Sequence, residues 1–310
     1  MTTSDVYFGR RLEPQAGRII HCAGQSDDEF RRYYDLMDAS CRPMGYMTYI
    51  GLRNDVSKYF ARLSENLSGY DAHLVPQIGL SMTHDGEPEK HYEHDVADGK
   101  YDAAIETFCR GLSELNRPAM VRIGYEFNGH WNGYSPETYK AAFTRVAGAI
   151  RRGKLDNVAI AWCFSPDGKD KTYWPYYPGD EWVDWWAIDL FSTWHFAHEA
   201  SIAFMEDAAK RRYPVMVGES TPRFVGVQDG EAGWEKWFMP YFDFMRRFPH
   251  TKMFSYISWE WSKYPQWHDW GNGRIGDSPV ILERWRQELA GRQYLHGTTA
   301  GETMKILGIG

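Results

Sequence analysis

Cysteine is scarce in this 310-residue chain: Cys22, Cys41, Cys109 and Cys163 are scattered, with no C-x-x-C spacing. That argues against a disulfide framework or a thiolate metal site, and isolated thiols with apolar neighbours are expected to sit reduced in the core. Basic runs are missing too. With 35 Lys plus Arg against 42 Asp plus Glu and a formal net charge of -7, nothing tracks a phosphate backbone, so nucleic acid is not an expected partner. No apolar stretch approaches the length of a membrane span, and Met1 to Glu13 lack the basic start and apolar core of a secretory signal. The expectation is a soluble, cytoplasmic protein with no membrane partner, unless a leader has been removed. Oligomeric state is not legible.

Aromatic residues are abundant instead, 16% of the chain with 14 Trp. Some belong to a core: Trp234, Trp237, Phe238, Tyr241, Phe242 and Met245 recur at i, i+3, i+4 spacing along one face of a helix over 233–247. Others crowd into Tyr173 to Tyr177 and Trp259 to Trp270, which have neither helical nor strand period. Rings in loops serve as platforms for the apolar faces of sugars or as local mini-cores, and the pattern leaves both readings open.

Short apolar runs alternate with helix-period segments along the chain. Strands are predicted over 18–23, 44–49, 74–80, 119–125, 158–163, 183–191, 215–218 and 253–259. The first helix is announced by Ser26 and Glu29 in capping-box spacing, and the fourth by Ser135 followed by Pro136 in the first turn. Further helices are read at 57–67, 102–115, 201–212, 233–247 and 280–289, while the one after strand five is poorly marked. Eight strand and helix units predict an α/β fold, a single (β/α)8 TIM barrel over 1–297, with 298–310 as a tail outside it.

In such a barrel the chemistry lies at the carboxyl ends of the strands. Strand four runs into Tyr125-Glu126-Phe127-Asn128-Gly129 and strand seven into Gly218-Glu219-Ser220. Two carboxyl groups facing each other across a cleft, one protonated and one ionised, are what glycoside hydrolysis with retention requires. Glu126 and Glu219 are therefore the candidate catalytic pair.

The segments "GKYDAAIETFCRGL" and "RPAMVRIGYEFNGHW" between Gly99 and Trp131 resemble glycoside hydrolase family 26, as do "AIAWCFSPD", "YYPGDEWVDWWAIDLFS" and "YPVMVGES". The likeness runs from strand three onward and fades in the first two units. It implies a retaining β-glycosidase, mannanase-like in most members, with some β-glucan and β-1,3-xylan enzymes, using no metal or other cofactor and acting on an oligosaccharide or glycoside. By that resemblance Glu126 is the acid/base, Glu219 the nucleophile, and Arg122 the cation that holds the nucleophile ionised. Trp259 matches a tryptophan that floors the reacting-sugar subsite, with Asn128 and Trp131 lining the same region. Trp131 and Tyr134 are expected to help keep Glu126 protonated. Two positions depart from the family: Tyr125 stands where His precedes the acid/base, and Phe191 where a Tyr bonds the nucleophile. Both favour a reacting sugar other than mannose. The alternative reading is a carbohydrate-binding barrel without turnover.

Other signals are weaker. Gly271 to Gly276 satisfies G-x-G-x-x-G but opens no helix, so dinucleotide binding is not expected. His91, Glu93, His94 and Asp95 read as a solvated charge cluster. Trp194 is a candidate substrate contact, and His195 beside it fits either a contact or a satisfied loop histidine. Glu260 rivals Trp259 for the cleft if the strand register slips by one. Asp189 reads as structural, or as a partner of Arg122.

Overall fold

The computed structural model describes residues 6–84, 87–168 and 172–309. In chain order the elements are β1 (Ile19–Gly24), α1 (Asp27–Leu36), β2 (Gly45–Gly51), α2 (Val56–Ser68), β3 (Val75–Ser81), α3 (Glu93–Ala97), α4 (Asp102–Leu115), β4 (Ala119–Ile123), α5 (Pro136–Arg152), β5 (Val158–Phe164) and β6 (Trp185–Leu190). Then come α6 (Glu199–Lys210), β7 (Val215–Ser220), α7 (Glu231–Gly233), α8 (Met239–Arg247), β8 (Thr251–Ile257), α9 (Pro279–Leu289), β9 (Tyr294–Leu295) and α10 (Ala300–Ile306). Strands β1 to β8 pair in sequence and all in parallel, and β8 closes on β1, so the sheet is a barrel. Both forecast helix starts hold: Ser26 accepts from the Glu29 N–H, and Ser135 from that of Thr138 ahead of Pro136.

Alternation along each strand sorts side chains into two cores. On β4, Ala119, Val121 and Ile123 face the helices, while Met120 faces the barrel interior. The interior is filled by Cys22, Met47, Cys163, Met216 and Met253 with small residues on β5, Ala159 and Ala161, leaving room for one large buried cation, Arg122. No disulfide forms, and Cys22 and Cys163 are buried thiols.

Two expectations give way. Among the described residues no helix lies between β5 and β6; around a short 3-10 stretch, Tyr173, Trp174 and Tyr177 pack instead on Trp162, Phe164, Trp186 and Phe204, and Tyr176 packs on Phe127. This aromatic plug does the covering a helix would do, so the 173–177 cluster is a mini-core and not a sugar platform. The segment after 297, expected outside the barrel, forms α10 instead. Its Thr303 and Leu307 are buried, and Leu307 joins the interior core with Leu12. Among the described residues no helix is long and apolar enough to cross a membrane.

Candidate active site

Arg122 organises the carboxyl end of the barrel. Fully buried on β4, it places Nη2 2.7 Å from Glu219 Oε1 and Nη1 3.2 and 3.1 Å from the two oxygens of Asp189 on β6. Strict alternation would point Glu219 the same way as Val217, out toward the helices. Register shifts on both sides of β7, between Ile188 and Asp189 and between Val217 and Ser220, break that alternation and let the Glu219 carboxylate meet Arg122 inside. Gly218 is required there, because a Cβ would lie 2.6 Å from Asp189 Oδ1 and 3.0 Å from the Arg122 side chain. Gln77 on β3 donates to the Gly218 carbonyl at 3.1 Å and steadies the turn.

Glu126 lies beyond β4, which ends at Ile123, two residues short of the forecast. Gly124 and Glu126 both take positive φ, +54° and +50°. For a residue with a side chain that conformation costs on the order of 1 kcal/mol or more and persists only where neighbours hold it. Asn132 supplies the hold, donating from Nδ2 to the carbonyls of both Tyr125 and Glu126 at 3.0 Å, and the Phe127 N–H donates to Cys163 O on β5. The Glu126 side chain accepts from Trp131 Nε1 at 2.7 Å through Oε2, while its buried Oε1 has no hydrogen-bond partner.

These surroundings give the two glutamates opposite characters. Burial, reinforced by the charges of Asp189 and Glu219, pushes the Glu126 carboxyl well above the usual carboxylate range. Glu219 has a charge-assisted bond to a permanent cation. Burial also pushes Asp189 up, opposed by Arg122, and Cys163 donates its thiol hydrogen to that carboxylate at 3.3 Å. Tyr49 on β2 completes the group: its phenol is pushed up first by burial and then by Glu219, and its ring and that of Tyr125 lie 5.9 and 5.0 Å from the Arg122 guanidinium carbon.

The remaining candidates divide. Trp131 stands on Glu126, but it donates its N–H to the carboxyl and so favours the ionised form, against the expectation that it helps keep the proton there, whereas the Tyr134 hydroxyl holds the Met82 N–H. Asn128 is a strut, its amide exchanging two bonds with the Ser165 backbone at the end of β5. Phe191 is buried with its ring 5.2 Å from that of Trp270. Trp259 packs beside Trp261 and Tyr264 over the interior core, and Trp261, Trp267 and Trp270 extend this wall. The 259–270 cluster is thus the aromatic side of the barrel mouth. Glu260 turns away, bound to Arg274 and Lys263 at 2.7 Å each. Trp194 is 40% exposed above His195, and His195 is wholly buried.

Sequence reasoning missed the roles of Tyr49, Gln77 and Asn132, and also a network behind Phe191. There Arg223 contacts both oxygens of Asp167 at 2.8 and 2.7 Å and bonds Ser192, while His195 Nε2 lies 3.1 Å from Asp167 and Nδ1 accepts from the Phe191 N–H. Burial pushes Asp167 up, but His195 and Arg223 outweigh it and bring the carboxyl to about 2. The only signal in the sequence was the S-P-D triplet after β5. In the β3 loop, His91, Glu93 and His94 do come within 4.8 Å of one another. Glu93 is already committed there, to Thr138 at 2.7 Å and His91 at 2.6 Å.

With that geometry in view, the sequence profile described as "Glycosyl hydrolase family 26" matches residues 86–223. The chain is similar to the beta-1,3-xylanase TXYA of a Vibrio species, 28% identical, the match covering 92% of this chain and 67% of the relative. It is similar to a beta-1,3-xylanase of an Alcaligenes species to the same degree, with 92% and 66% covered, so it spans about two thirds of these relatives' lengths. Among solved structures, a family 26 beta-mannanase from Bacteroides ovatus superposes with a TM-score of 0.60 at 15% identity over 94% of this chain and 93% of that one, a likeness of fold.

Proposed function

We propose that this chain, whose residues 86–223 match the glycosyl hydrolase family 26 profile, cleaves β-1,3-linked xylosyl oligosaccharides by double displacement, with retention. Glu126 protonates the glycosidic oxygen as Glu219 attacks the anomeric carbon, forming a glycosyl-enzyme and releasing the leaving sugar. Glu126, now ionised, then takes a proton from water, whose oxygen displaces Glu219 from the opposite face. The observation that carries this reading is the asymmetry around Arg122. One carboxylate is bonded to the cation, and the other is buried with an unpartnered Oε1 free to carry the proton.

The linkage and sugar rest on two supports. Both xylanase relatives are named for β-1,3-xylan. The departures at Tyr125 and Phe191 alter the pocket where a mannanase reads its reacting sugar: Phe191 offers no hydroxyl to the nucleophile, and the Tyr49 phenol from the opposite wall lies in the field of Glu219 instead. Hydrogen bonds at the 2-hydroxyl and nucleophile strengthen in the transition state, so changing them changes the sugar.

Early-time proton NMR on β-1,3-xylotetraose is expected to show product of β configuration, with kcat/KM above that for mannotetraose and β-1,4-xylotetraose. Initial α product would refute the two-step mechanism, and a mannotetraose value above the others would refute the substrate.

A further inference from the structure

The barrel mouth holds a feature that bond cleavage does not use. A cavity of about 680 Å³ opens over the ends of β2 and β3 and the start of α2. Tyr49 and Tyr125 form its inner wall, and these are the rings that cover Arg122. Through these rings the cavity adjoins the cation that holds Glu219.

Its outer wall is cationic. Arg53, Lys58 and Arg62 face it against one carboxylate, Asp55. Asp55 is already engaged, capping α2 by accepting the Lys58 N–H at 2.9 Å, which offsets the positive end of that helix. The Lys58 ammonium has no ion pair or hydrogen bond among the described residues. Arg53 donates from Nε to the Tyr101 hydroxyl at 2.8 Å and lies 4.2 Å from the Tyr92 ring, so the guanidinium is held in place with its terminal amines unspent. Arg62 lies 3.6 Å from Asp27, an exposed pair of the kind that contributes little. His84, the other basic side chain on this wall, sits 3.5 Å from Glu87.

A neutral sugar needs rings to stack on and uncharged donors and acceptors, and the 259–270 side of the mouth supplies the rings. Three cations with unspent donors, in a chain whose net charge is -7, suit a different ligand. We propose that this arm of the cleft binds an anionic substituent on the glycan, a uronate carboxylate or a sulfate half-ester, so that the substrate is a charged xylan-type oligosaccharide. Arginine forks match both oxyanions, and a cleft lined by one sign of charge raises the local concentration of its counter-charge. The inference rests on the hydrolytic reading above for the sugar chain, but not for the charge.

The test uses the full chain with three ladders of β-1,3-linked xylosyl oligosaccharides: neutral, uronosyl-bearing and sulfated. At about 20 mM salt, kcat/KM is expected to be at least about 5-fold higher for an anionic ladder than for the neutral one, closing to less than about 2-fold at about 0.5 M salt. Lys58→Glu combined with Arg62→Glu should invert that ratio. Preference for one anion alone identifies which substituent is carried and supports the proposal. Equal values across the ladders, or a preference that charge reversal leaves untouched, overturns it. Saturation-transfer NMR with glucuronate, xylose sulfate and neutral xylose gives a readout independent of linkage. Binding of an anionic monosaccharide that the charge-reversed protein loses upholds the arm even if no ladder is cleaved, a result that would instead refute the xylosyl reading. No anion-dependent binding overturns the arm.

Discussion

Two buried polar clusters sit in different layers of this barrel and obey opposite rules. Inside, at the carboxyl end, Arg122 Nε, Glu126 Oε1 and Gln77 Oε1 are buried without hydrogen-bond partners. Between the barrel wall and helices α1 and α9, every group is used. Trp285 Nε1 donates to the Tyr33 hydroxyl at 2.7 Å, and that hydroxyl lies 2.7 Å from His21 Nε2. His21 Nδ1 lies 3.3 Å from His296 Nδ1, and His296 Nε2 lies 2.9 Å from the Leu289 carbonyl in the last turn of α9. Because that carbonyl can only accept, His296 Nε2 carries the proton, His21 donates from Nδ1, and Tyr33 donates to His21. Both rings are neutral and every donor runs one way. An unpaired buried polar group costs about 1–3 kcal/mol, so the outer cluster contributes stability while the inner one forgoes it. What the inner cluster keeps in return is the unpartnered Glu126 Oε1, held in the field of the Arg122–Glu219 pair.

Activity should separate the two clusters most sharply. Glu219→Ala should lower kcat/KM by about 10⁴-fold or more and Glu126→Gln by about 10²–10⁴-fold, with Tm unchanged or raised in Glu126→Gln, which removes a buried acid outside the ion pairs, and only modestly lowered in Glu219→Ala, where Arg122 loses one carboxylate but keeps Asp189. Thermal melts beside assays on xylotetraose check this, and a large drop in Tm would show that these acids are structural. With an activated aryl glycoside, azide should restore turnover in Glu126→Ala, giving product of retained configuration.

Arg122→Met tests the one member of the inner cluster that serves both ends. It leaves Glu219 and Asp189 buried without their cation, and breaking a buried pair in this way costs about 3–5 kcal/mol. Denaturant unfolding should show that loss together with loss of activity. Adding Asp189→Asn should return part of the stability and none of the activity.

His21→Phe probes the outer cluster and should have the smallest effect. The Phe ring can occupy the place of His21, which stacks on Phe254 at 5.2 Å, but Tyr33 and His296 each lose a partner, for about 1–3 kcal/mol. Activity should not change. Burial is the main cause that holds both His21 and His296 below the ordinary histidine value of 6.5. A histidine whose folded value is depressed binds protons only in the unfolded chain between the two values. Wild-type stability should therefore be complete above about pH 6.5 and decline as pH falls, by up to about 1.4 kcal/mol per unit for each group. Other buried histidines act in the same direction, His250 being lowered to about 4. The measurement is accordingly the difference between variant and wild type: the slope between pH 7 and 5 should be shallower in His21→Phe, and equal slopes would show that the relay is not neutral.

Periodicity alone located all eight strands, the caps at Ser26 and Ser135, and the two glutamates at strand ends, because these depend on neighbours three or four residues apart. The family likeness added Arg122 as the cation. Everything that makes the site asymmetric depends on longer reach. Arg122 meets Glu219 across 97 positions and Asp189 across 67. His21 meets His296 across 275. The Glu219 side chain faces inward through register shifts on neighbouring strands, against its own alternation. The two aromatic loops, alike in composition, parted ways for the same reason: Tyr173 to Tyr177 fell where a helix was missing and had to cover the barrel wall, while Trp259 to Trp270 fell at the open mouth. Local spacing decides which way a segment folds, and only closure of the barrel decides which buried charges find partners and which stay free to act.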